Sequence, residues 1–374
     1  MPIWISNPVE LSAQIASPPA RIALDTEFLR ERTYWPQLAL VQIAIGDAIL
    51  LVDPLVSGMT AALAPLLVDP AVLKVMHSAS EDLVALKYAC GVVPTPLFDT
   101  QTAAALAGIG AGVGYQRLVQ DTLEVALHKG ETRSDWLRRP LSPAQLDYAA
   151  DDVRHLFALH DRLDARLVEL GRRDWLSEDC ARMVSNAQRD ELERWPHLSM
   201  RAAQFFDAPA QHRLLRLLRW RDLQARDSDR PRSWILDNDL ATMLARTPPI
   251  DRTSLQTQLD AHPKAPRKLG DAVWQTLNTP LADEADAPPV RIDERDKQAM
   301  RRLQEAVATR SAELGLPDGV LASRRWLESL LDSGEWPQAL LGWRRNALEA
   351  HLKPLLAAAD GVTSTSESPG AAAD

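Results

Sequence analysis

The sequence predicts a mixed α/β domain over residues 1–200, followed by one or two all-α domains. The first prediction rests on apolar runs of strand length near the start of the chain, which then alternate with helical patterns. The second rests on the region beyond residue 207, where the apolar patterns have helical spacing. With 374 residues, the chain is long enough for two or three domains, each with its own core.

Three adjacent strands are predicted at the start of the first domain. Their apolar runs are ARIALDTEF, LALVQIAIG and AILLVDPL. Further along, the patterns predict a helix at 59–67, a strand at 73–77, a helix at 80–90, a strand at 97–99 and a helix that ends at Ala107. This order implies a mixed sheet covered by helices. The glycine-rich stretch 108–114 follows a helix and lacks dinucleotide-binding spacing, so we predict a loop there.

The best-marked element is a helix that begins after Ser142. Ser142, Pro143 and Gln145 combine an N-cap serine, a proline at the first helical position and a glutamine that completes a capping box. The apolar pattern predicts that this helix continues to residue 170 and stops at Gly171.

Two acidic residues lie side by side on this predicted helix, and helical geometry separates them. At about 100° per residue, Asp152 falls on the edge of the apolar stripe, whereas Asp151 points toward water. Tyr148 lies one turn before Asp152 on a neighbouring face. Geometry therefore nominates Asp152 and not Asp151 as the functional carboxylate.

Composition divides the rest of the chain. Residues 208–281 are predicted as a helical domain, 281–290 as a linker, and 290–358 as a second, divergent helical domain. The two blocks share a helical plan and are compatible with diverged copies, although they show no strict repeat. The small, polar stretch 359–374 is predicted to be a disordered tail.

Charge is distributed unevenly along the chain, whose net charge is −9. Residues 1–200 hold 18 Lys and Arg against 26 Asp and Glu, a difference of −8, as expected if acidic groups gather around metal ions. Residues 208–280 hold 12 against 8, a difference of +4. The pattern favours an acidic catalytic domain and a basic domain that grips an anionic polymer, although such a positive balance is also ordinary scatter.

Several protein classes are disfavoured. No apolar run approaches the ~18–20 residues of a membrane span, and the start lacks a basic stretch followed by an apolar one, so neither membrane insertion nor secretion is expected. Cys90 and Cys180 form no disulfide framework and no metal-binding spacing. We therefore expect a cytoplasmic protein, and no obligate protein partner is implied.

Four carboxylates in the first domain are the strongest indication of function. Asp25 and Glu27 leave the same face of a predicted strand, Asp82 begins a helix after another strand, and Asp152 lies on the capped helix. Gathered carboxylates are costly unless a cation compensates them, and oxygen ligands suit Mg²⁺ or Mn²⁺. Two such ions can clamp the attacking and leaving oxygens of phosphodiester hydrolysis. We therefore predict a two-metal nuclease, with Tyr148 orienting the attacking water.

Three segments around these residues resemble the exonuclease motifs of the DEDD superfamily in its tyrosine-bearing branch, and specifically those of the ribonuclease D family. LDTEF is similar to the first motif, HSASEDL to the second and DYAADDV to the third. The resemblance covers roughly residues 1–285. It implies a ribonuclease-H-like fold and metal-dependent 3′→5′ hydrolysis of RNA to 5′-mononucleotides.

The resemblance also implies roles for residues and domains. It makes Asp25, Glu27, Asp82 and Asp152 ligands of two divalent ions, Mg²⁺ or Mn²⁺, and Tyr148 the residue that orients the water. It implies that 208–281 is a helicase-and-ribonuclease-D C-terminal domain and that 290–358 is a second, more divergent one. The expected partner is RNA, in the form of tRNA precursors with 3′ extensions.

Further residues are candidates for substrate binding or for supporting the metal ligands. Basic residues around an aromatic ring can hold a phosphate backbone and stack a base, but a solvated loop anchored by its Trp is an equal alternative. For His77 core packing is the more frequent role. The substrate-binding candidates are Lys129, Arg133, Trp136, Arg138, Arg230 and Arg232, the supporting candidates are His77, Asp99 and Gln101, and Trp220, Trp234 and Trp274 are predicted to lie in helical cores.

Two other functional classes share parts of this pattern. A DNA-directed 3′→5′ exonuclease would use the same four carboxylates, because the chemistry does not involve the 2′-hydroxyl. A non-catalytic RNA-binding scaffold is the other alternative, and the complete set of carboxylates counts against it.

Overall fold

A computed structural model describes residues 1–127, 130–131, 134–290 and 294–363. The chain divides into two units, and each unit is made of segments that are not contiguous in the sequence. The first unit takes Met1–Phe28, Leu38–Gln188 and Asp293–Asp374. The second takes Arg189–Ile292 together with the short segment Leu29–Gln37. That segment therefore leaves the first unit between two strands and belongs with the helices of the second.

A six-stranded sheet is the centre of the first unit. Its strands are β1 (Ile3–Ile5), β2 (Arg21–Leu29), β3 (Gln37–Ile45), β4 (Ala48–Val52), β5 (Leu73–Met76) and β6 (Leu97–Asp99). They lie in the order β1-β4-β3-β2-β5-β6. β1 is parallel to β4, β3 is antiparallel to β4, and β5 is parallel to both β2 and β6. The predicted mixed sheet is confirmed, and β1 is an edge strand that the sequence patterns did not indicate.

β3 shows why the sheet has a buried centre. Its sequence QLALVQIAI is an almost continuous apolar run, and the strand is buried from Leu38 to Ala44. Such a run is typical of a strand covered on both faces. β2 lies next to β3 in the sheet, so the residues of β2 are supported by a buried neighbouring strand.

In the described residues up to Gln188, eight helices belong to the first unit. They are α1 (Pro8–Gln14), α2 (Met59–Val68), α3 (Ser80–Cys90), α4 (Thr100–Leu106), α5 (Tyr115–Leu123), α6 (Pro143–Arg154), α7 (Leu156–Glu169) and α8 (Arg173–Gln188). The capping box forms as predicted: the Gln145 backbone N donates to Ser142 Oγ at 3.2 Å, and the Ser142 backbone N donates to Gln145 Oε1 at 2.9 Å.

The helix predicted to run unbroken to residue 170 is interrupted at His155. There the backbone leaves helical geometry, with φ −104° and ψ 1°. The His155 backbone N donates to the Tyr115 hydroxyl at 3.2 Å, and that hydroxyl donates to the Asp151 carbonyl at 2.9 Å. A tyrosine from α5 thus binds the backbone at the break, a long-range contact that a local pattern does not reveal.

The second unit consists of helices around its own core. They are α9 (Ala208–Asp227), α10 (Arg232–Ile235), α11 (Asn238–Arg246), α12 (Arg252–Ala261) and α13 (Gly270–Asn278). Leu214, Leu217 and Leu218 of α9 belong to one buried cluster with residues of α11, α12 and α13. Tyr34, from the segment Leu29–Gln37, packs in a smaller cluster with Ala225.

The acidic stretch 281–290, predicted as a linker, is packed structure in this unit. Glu284 is 7% exposed, and Arg216 of α9 donates two hydrogen bonds of 2.5 Å to its carboxylate. Arg219 donates to Asp283 at 2.7 Å. The linker prediction was wrong because arginines of α9 neutralise these acids and hold the segment.

The last helical block returns to the first unit. Its helices α14 (Glu294–Leu314), α15 (Arg324–Ser333) and α16 (Trp343–Thr363) share one hydrophobic core with the sheet. The Trp343 ring stacks on Trp175 of α8 at 4.3 Å between centroids, and Arg344 forms a buried bidentate ion pair with Asp179 of the same helix. The two helical blocks, predicted to share a plan, therefore differ in where their cores lie.

Two further observations complete the fold. α16 extends to Thr363, which is five residues into the stretch 359–374 predicted as a disordered tail, and residues 364–374 lie outside the described part of the chain. Of the helices in the described ranges, none combines the length and the apolar character needed to cross a membrane.

Candidate active site

Four carboxylates from three elements of the first unit form what we call the carboxylate cluster. Asp25 lies at the middle of β2 and Glu27 two residues further on, both half-buried, with their side chains on the same face of the strand. Asp82 lies in the first turn of α3, and Asp152 lies near the end of α6. The sequence predicted each of these placements.

Hydrogen bonds fix Asp82, which is 8% exposed. Thr26 Oγ1, from the buried residue between the two acids of β2, donates to Asp82 Oδ1 at 2.5 Å. Just before α3, the Ala79 backbone N donates to Asp99 Oδ2 at 2.9 Å, and Asp99 Oδ1 accepts from the Thr102 backbone N at 2.7 Å. Asp99 therefore joins the starts of α3 and α4 and supports the turn that carries Asp82.

The two neighbouring acids of α6 have different surroundings. Asp151 forms an ion pair with Arg154 at 2.7 Å, and about two-fifths of its side chain is exposed to solvent (39%). Burial raises the pKa of Asp152 to about 7, and the charges of Asp151 and Asp82 raise it too. Asp152 thus belongs to the carboxylate cluster and Asp151 lies outside it, as helical geometry predicted.

Burial and mutual repulsion raise the pKa of the other members as well. Burial places the pKa of Asp25 well above its usual value, and the charges of Asp82, Asp152 and Glu27 raise it further. Burial, then repulsion from Asp152 and Asp82, raises the pKa of Glu27 to about 8. Burial is also the first cause that raises the pKa of Asp82 to about 7. Because such coupling requires close approach, the structure brings the four predicted carboxylates together.

The excess negative charge of the carboxylate cluster fits a divalent cation. The charged groups that act on its four members are themselves acids, and carboxylate oxygens are the donors that Mg²⁺ and Mn²⁺ prefer. In the described ranges no group of three or more His, Cys, Asp or Glu already has metal-binding geometry. The cluster is therefore defined by the fold and by its charge, not by a preformed coordination sphere.

Tyr148 belongs to the same site. Its hydroxyl is within hydrogen-bonding reach of Asp152, and burial followed by the charges of Asp152, Glu27 and Asp25 raises the pKa of the phenol above its usual range. A phenol with a raised pKa stays protonated at neutral pH, which suits it to hold a water molecule rather than to deprotonate one. The backbone of Gly130 lies against its ring, because a Cβ built on Gly130 would meet Tyr148 Cδ2 at 2.2 Å.

His77 and Gln101 hold the surroundings of the cluster together. His77 Nδ1 lies 2.9 Å from Thr100 Oγ1, its ring centroid lies 5.6 Å from that of Tyr115, and burial lowers its pKa. Gln101 Nε2 donates to the Val113 carbonyl at 3.2 Å, which anchors the predicted glycine-rich loop. These contacts agree with a supporting role for both residues, which stays a prediction.

The substrate-binding candidates have diverse surroundings. Trp136 is 2% exposed, with its ring centroid 6.0 Å from that of Tyr148, so this burial favours the anchor alternative over base stacking. Arg138 and Arg230 are exposed, whereas Arg232 pairs with Asp222. Lys129 and Arg133 lie outside the described residues.

One tryptophan differs from its predicted setting. Trp234 was predicted to lie in a helical core, but it is 56% exposed on the short helix α10. The average tendency of Trp to be buried failed here because a helix of four residues buries only Ile235.

Sequence reasoning missed three residues of the site. Thr26 binds Asp82, Tyr115 binds the backbone on both sides of the helix break beside Asp152, and Gly130 leaves room for the Tyr148 ring. The position of Thr26 between two predicted ligands was a usable signal. Tyr115 and Gly130 depend on contacts between distant parts of the chain, and no local pattern indicates them.

Comparison with known proteins identifies the family. A model of the 3′–5′ exonuclease family matches residues 2–168. A ribonuclease D of Xanthomonas oryzae pv. oryzae is 62% identical over 96% of this chain and 100% of its own length. The chain belongs to the ribonuclease D family. A family member from Pseudomonas paraeruginosa is 38% identical over 92% of this chain and 95% of its own length.

A solved structure supports the same assignment over both units. The crystal structure of Escherichia coli RNase D, described as an exoribonuclease involved in structured RNA processing, has a TM-score of 0.84 and 27% identity, and covers 96% of this chain and 99% of that one. The exonuclease fold and activity predicted from the motifs are confirmed: the chain is a 3′–5′ exoribonuclease, and its substrate is RNA.

Proposed function

We propose that this enzyme removes nucleotides one at a time from the 3′ end of RNA, with the carboxylate cluster holding two divalent metal ions, Mg²⁺ or Mn²⁺. The observation that supports this most is that Asp25, Glu27, Asp82 and Asp152 are gathered in one partly buried site, where burial and neighbouring acids raise the pKa of each. A buried set of like charges is retained where an external cation neutralises it.

The side chains have distinct parts in this proposal. All four carboxylates ionise to hold the metals, which when bound would supply a Lewis acid for the scissile phosphate and a more acidic water. Thr26 and Asp99 keep Asp82 in place through the hydrogen bonds described above. Tyr148, protonated and beside Asp152, orients the attacking water toward phosphorus.

The substrate form is inferred from the family. The Escherichia coli relative is described as an exoribonuclease involved in structured RNA processing. We propose that this enzyme trims 3′ extensions of structured RNA precursors, tRNA precursors among them, and releases 5′-mononucleotides. We also place it in the cytoplasm, where such precursors lie and where its two free thiols, Cys90 and Cys180, stay reduced.

Digestion of 5′-labelled RNA tests the polarity and the metal requirement together. RNA with a free 3′ end should shorten stepwise in Mg²⁺, whereas RNA with a blocked 3′ end, and either RNA in EDTA, should stay intact. The product should co-migrate with 5′-mononucleotides, and a DNA oligonucleotide of the same sequence should be cut more slowly. Internal cuts in the blocked RNA, or equal rates with EDTA, would contradict the proposal.

A further inference from the structure

Arg139, in the connection between α5 and α6, uses its guanidinium group on acceptors within the protein. Its Nε and Nη2 donate to the two carboxylate oxygens of Asp53 at 2.9 and 2.8 Å. Nη2 also donates to the Ala39 carbonyl at 2.6 Å, and Nη1 donates to the carbonyls of Trp136 and Arg138 at 2.7 and 3.0 Å. A guanidinium has five N–H groups, which these five hydrogen bonds occupy, so Arg139 holds protein rather than substrate.

The acceptors of Arg139 are fixed to three strands of the sheet. Asp53 directly follows β4 and is 6% exposed. Its backbone N donates to the carbonyl of Ile5 in β1 at 2.9 Å, and its Oδ1 accepts from the Leu55 backbone N at 3.1 Å. Ala39 belongs to β3. Because a bidentate pair fixes the plane of a guanidinium as well as its distance, Arg139 attaches its own segment to the sheet in one orientation.

The segment that Arg139 attaches, residues 134–141, contains neither helix nor strand. One short-range hydrogen bond within it runs from the Leu137 backbone N to Asp135 Oδ1 at 3.1 Å. Trp136 is its most deeply placed aromatic residue, at 2% exposed, and the Trp136 carbonyl is one of the acceptors of Arg139. Since irregular backbone is stabilised mainly by its contacts with the rest of the protein, the position of Trp136 depends on this anchor.

Trp136 is the point at which the attached segment reaches the carboxylate cluster. Its ring centroid lies 6.0 Å from that of Tyr148, with an angle of 38° between the rings. Tyr148 is half-buried on α6, and rotation about its side-chain bonds would move its hydroxyl relative to Asp152. The backbone of Gly130 also lies against the Tyr148 ring. Both contacts come from the connection between α5 and α6, so α6 alone does not set the direction of the phenol.

A second bidentate arginine of the first unit offers a matched comparison. Arg344 of α16 donates to both carboxylate oxygens of Asp179 in α8, and both side chains are buried. The aromatic neighbours of Arg344 are Trp326 and Trp343, in the last helical block. Loss of either pair should weaken the fold of the first unit, because it leaves a buried carboxylate without its cation. The contacts of Arg139 lead to Tyr148, whereas those of Arg344 lead to the last helical block.

We propose that Arg139 is a positioning residue for hydrolysis: by attaching residues 134–141 to the sheet, it keeps the Trp136 ring against Tyr148 and so directs the phenol toward Asp152. Groups that act on a reacting atom need side chains whose rotamers are locked by packing, and Trp136 supplies that packing here. The benefit to the reaction rests on the proposed function, in which Tyr148 orients the attacking water.

A double-mutant cycle with Tyr148→Phe tests this link, measured by single-turnover RNA digestion with the full-length protein at saturating Mn²⁺. Alone, Arg139→Gln should lower the rate about tenfold, because it misplaces a group beside the reacting atoms. In the Tyr148→Phe protein, the same change should lower the rate less than about twofold, since the hydroxyl that Arg139 helps to position is already absent. Arg344→Gln should lower the rate by one and the same factor in both backgrounds.

The environment of the phenol can also be measured without metal or turnover, because the chain has only four tyrosines. In protein labelled with ¹³C at the tyrosine ring carbon that bears the oxygen, the NMR signal of Tyr148 is the one that Tyr148→Phe removes. In EDTA, Arg139→Gln should shift this signal, because the Trp136 ring is no longer held against it. Arg344→Gln should leave the signal in place.

Equal losses of rate by Arg139→Gln in both backgrounds, or an unmoved Tyr148 signal, would overturn the proposal. An unchanged rate in Tyr148→Phe would refute the proposed role of its hydroxyl, and the NMR signal would then decide whether Arg139 positions the ring. If circular dichroism shows that Arg139→Gln is unfolded, Arg139→Lys replaces it in both measurements with the same expected results. Lysine keeps a charge beside Asp53 but cannot form the bidentate pair.

Discussion

The two units treat their acidic side chains in opposite ways. In the first, the carboxylate cluster gathers four acids whose pKa values are all raised, and the charges acting on them are other acids. In the second, Arg219 and Arg194 bind Asp283 and hold its pKa down at about 2, and Arg216 lowers the pKa of Glu284. The same residue types are thus left uncompensated in one unit and neutralised in the other.

This difference separates structural charge from functional charge. Removing the acid of a buried pair destabilises the fold, because the arginine is then left as an uncompensated buried charge. A cluster of acids without a cation destabilises the fold of the metal-free protein. We attribute its presence to a bound cation that neutralises it. Substitutions that remove charge should therefore have opposite effects on stability in the two units.

The largest expected effect separates Asp152 from its neighbour. Asp152→Asn should lower kcat at least about 10³-fold, because it removes charge that holds the metals at the developing transition state. Asp151→Asn makes the same change one residue away, at a side chain paired with Arg154, and should keep activity within about threefold. Steady-state digestion of RNA checks both, and a reversed order would refute the assignment of the helix face.

In the second unit, removing charge should destabilise the protein. Glu284→Gln weakens the two hydrogen bonds from Arg216 and should lower the free energy of unfolding by about 1.5–3 kcal/mol. Asp286→Asn is the matched control, because Asp286 is exposed and 3.6 Å from Arg194, and it should cost under about 0.5 kcal/mol. Urea unfolding measures both, and equal values would show that burial of the pair does not matter.

A smaller effect is expected from the phenol of the first unit. Tyr148→Phe should lower kcat about 10–100-fold with unchanged metal affinity, because it removes a water-orienting hydroxyl but no ligand. Gly130→Ala should also lower kcat, because the added Cβ at position 130 would collide with the Tyr148 ring. Single-turnover digestion at several Mn²⁺ concentrations separates rate from metal affinity. An unchanged rate in Tyr148→Phe would make the hydroxyl dispensable.

The smallest effect concerns pH. The folded-state pKa values of Glu27, Asp82 and Asp152 are raised to about 7 or 8, so the folded protein binds more protons than the unfolded chain near neutral pH. The stability of the metal-free protein is therefore highest at low pH and is lost as pH rises toward these folded-state values. In EDTA, Tm should fall by a few degrees between about pH 5 and pH 8.5, and Asp152→Asn should flatten this slope. Asp151→Asn should flatten it less, because it removes only one of the charges that raise the pKa of Asp152. A Tm that rises across this window in EDTA would contradict the raised pKa values.

The features predicted correctly are those that short sequence periods determine. A spacing of two on β2 places Asp25 and Glu27 on one face, and a helical turn sets Tyr148 beside Asp152 while Asp151 points away. The capping box of α6 also depends only on neighbouring residues. Asp82 was grouped with these residues because it begins a helix after another strand, and the family resemblance then implied its role as a ligand.

The features missed depend on distant contacts. The break at His155 is accompanied by a hydroxyl from α5, and the acidic stretch 281–290 is held by arginines about 70 residues earlier, at separations of 64 and 68. The last helical block has the same amphipathic pattern as the second unit, yet Trp343 and Arg344 attach it to α8. A helical pattern predicts that a face is buried, but it does not predict which partner buries it.

Titration with Mn²⁺, followed by the electron paramagnetic resonance signal of the free ion, tests the central claim most directly. The wild-type protein and Asp151→Asn should each bind two Mn²⁺ at pH 8, and Asp152→Asn should lose at least one of them while remaining folded and thermally more stable in EDTA. Unchanged Mn²⁺ stoichiometry and affinity in Asp152→Asn would contradict the claim that the uncompensated carboxylates are the metal site.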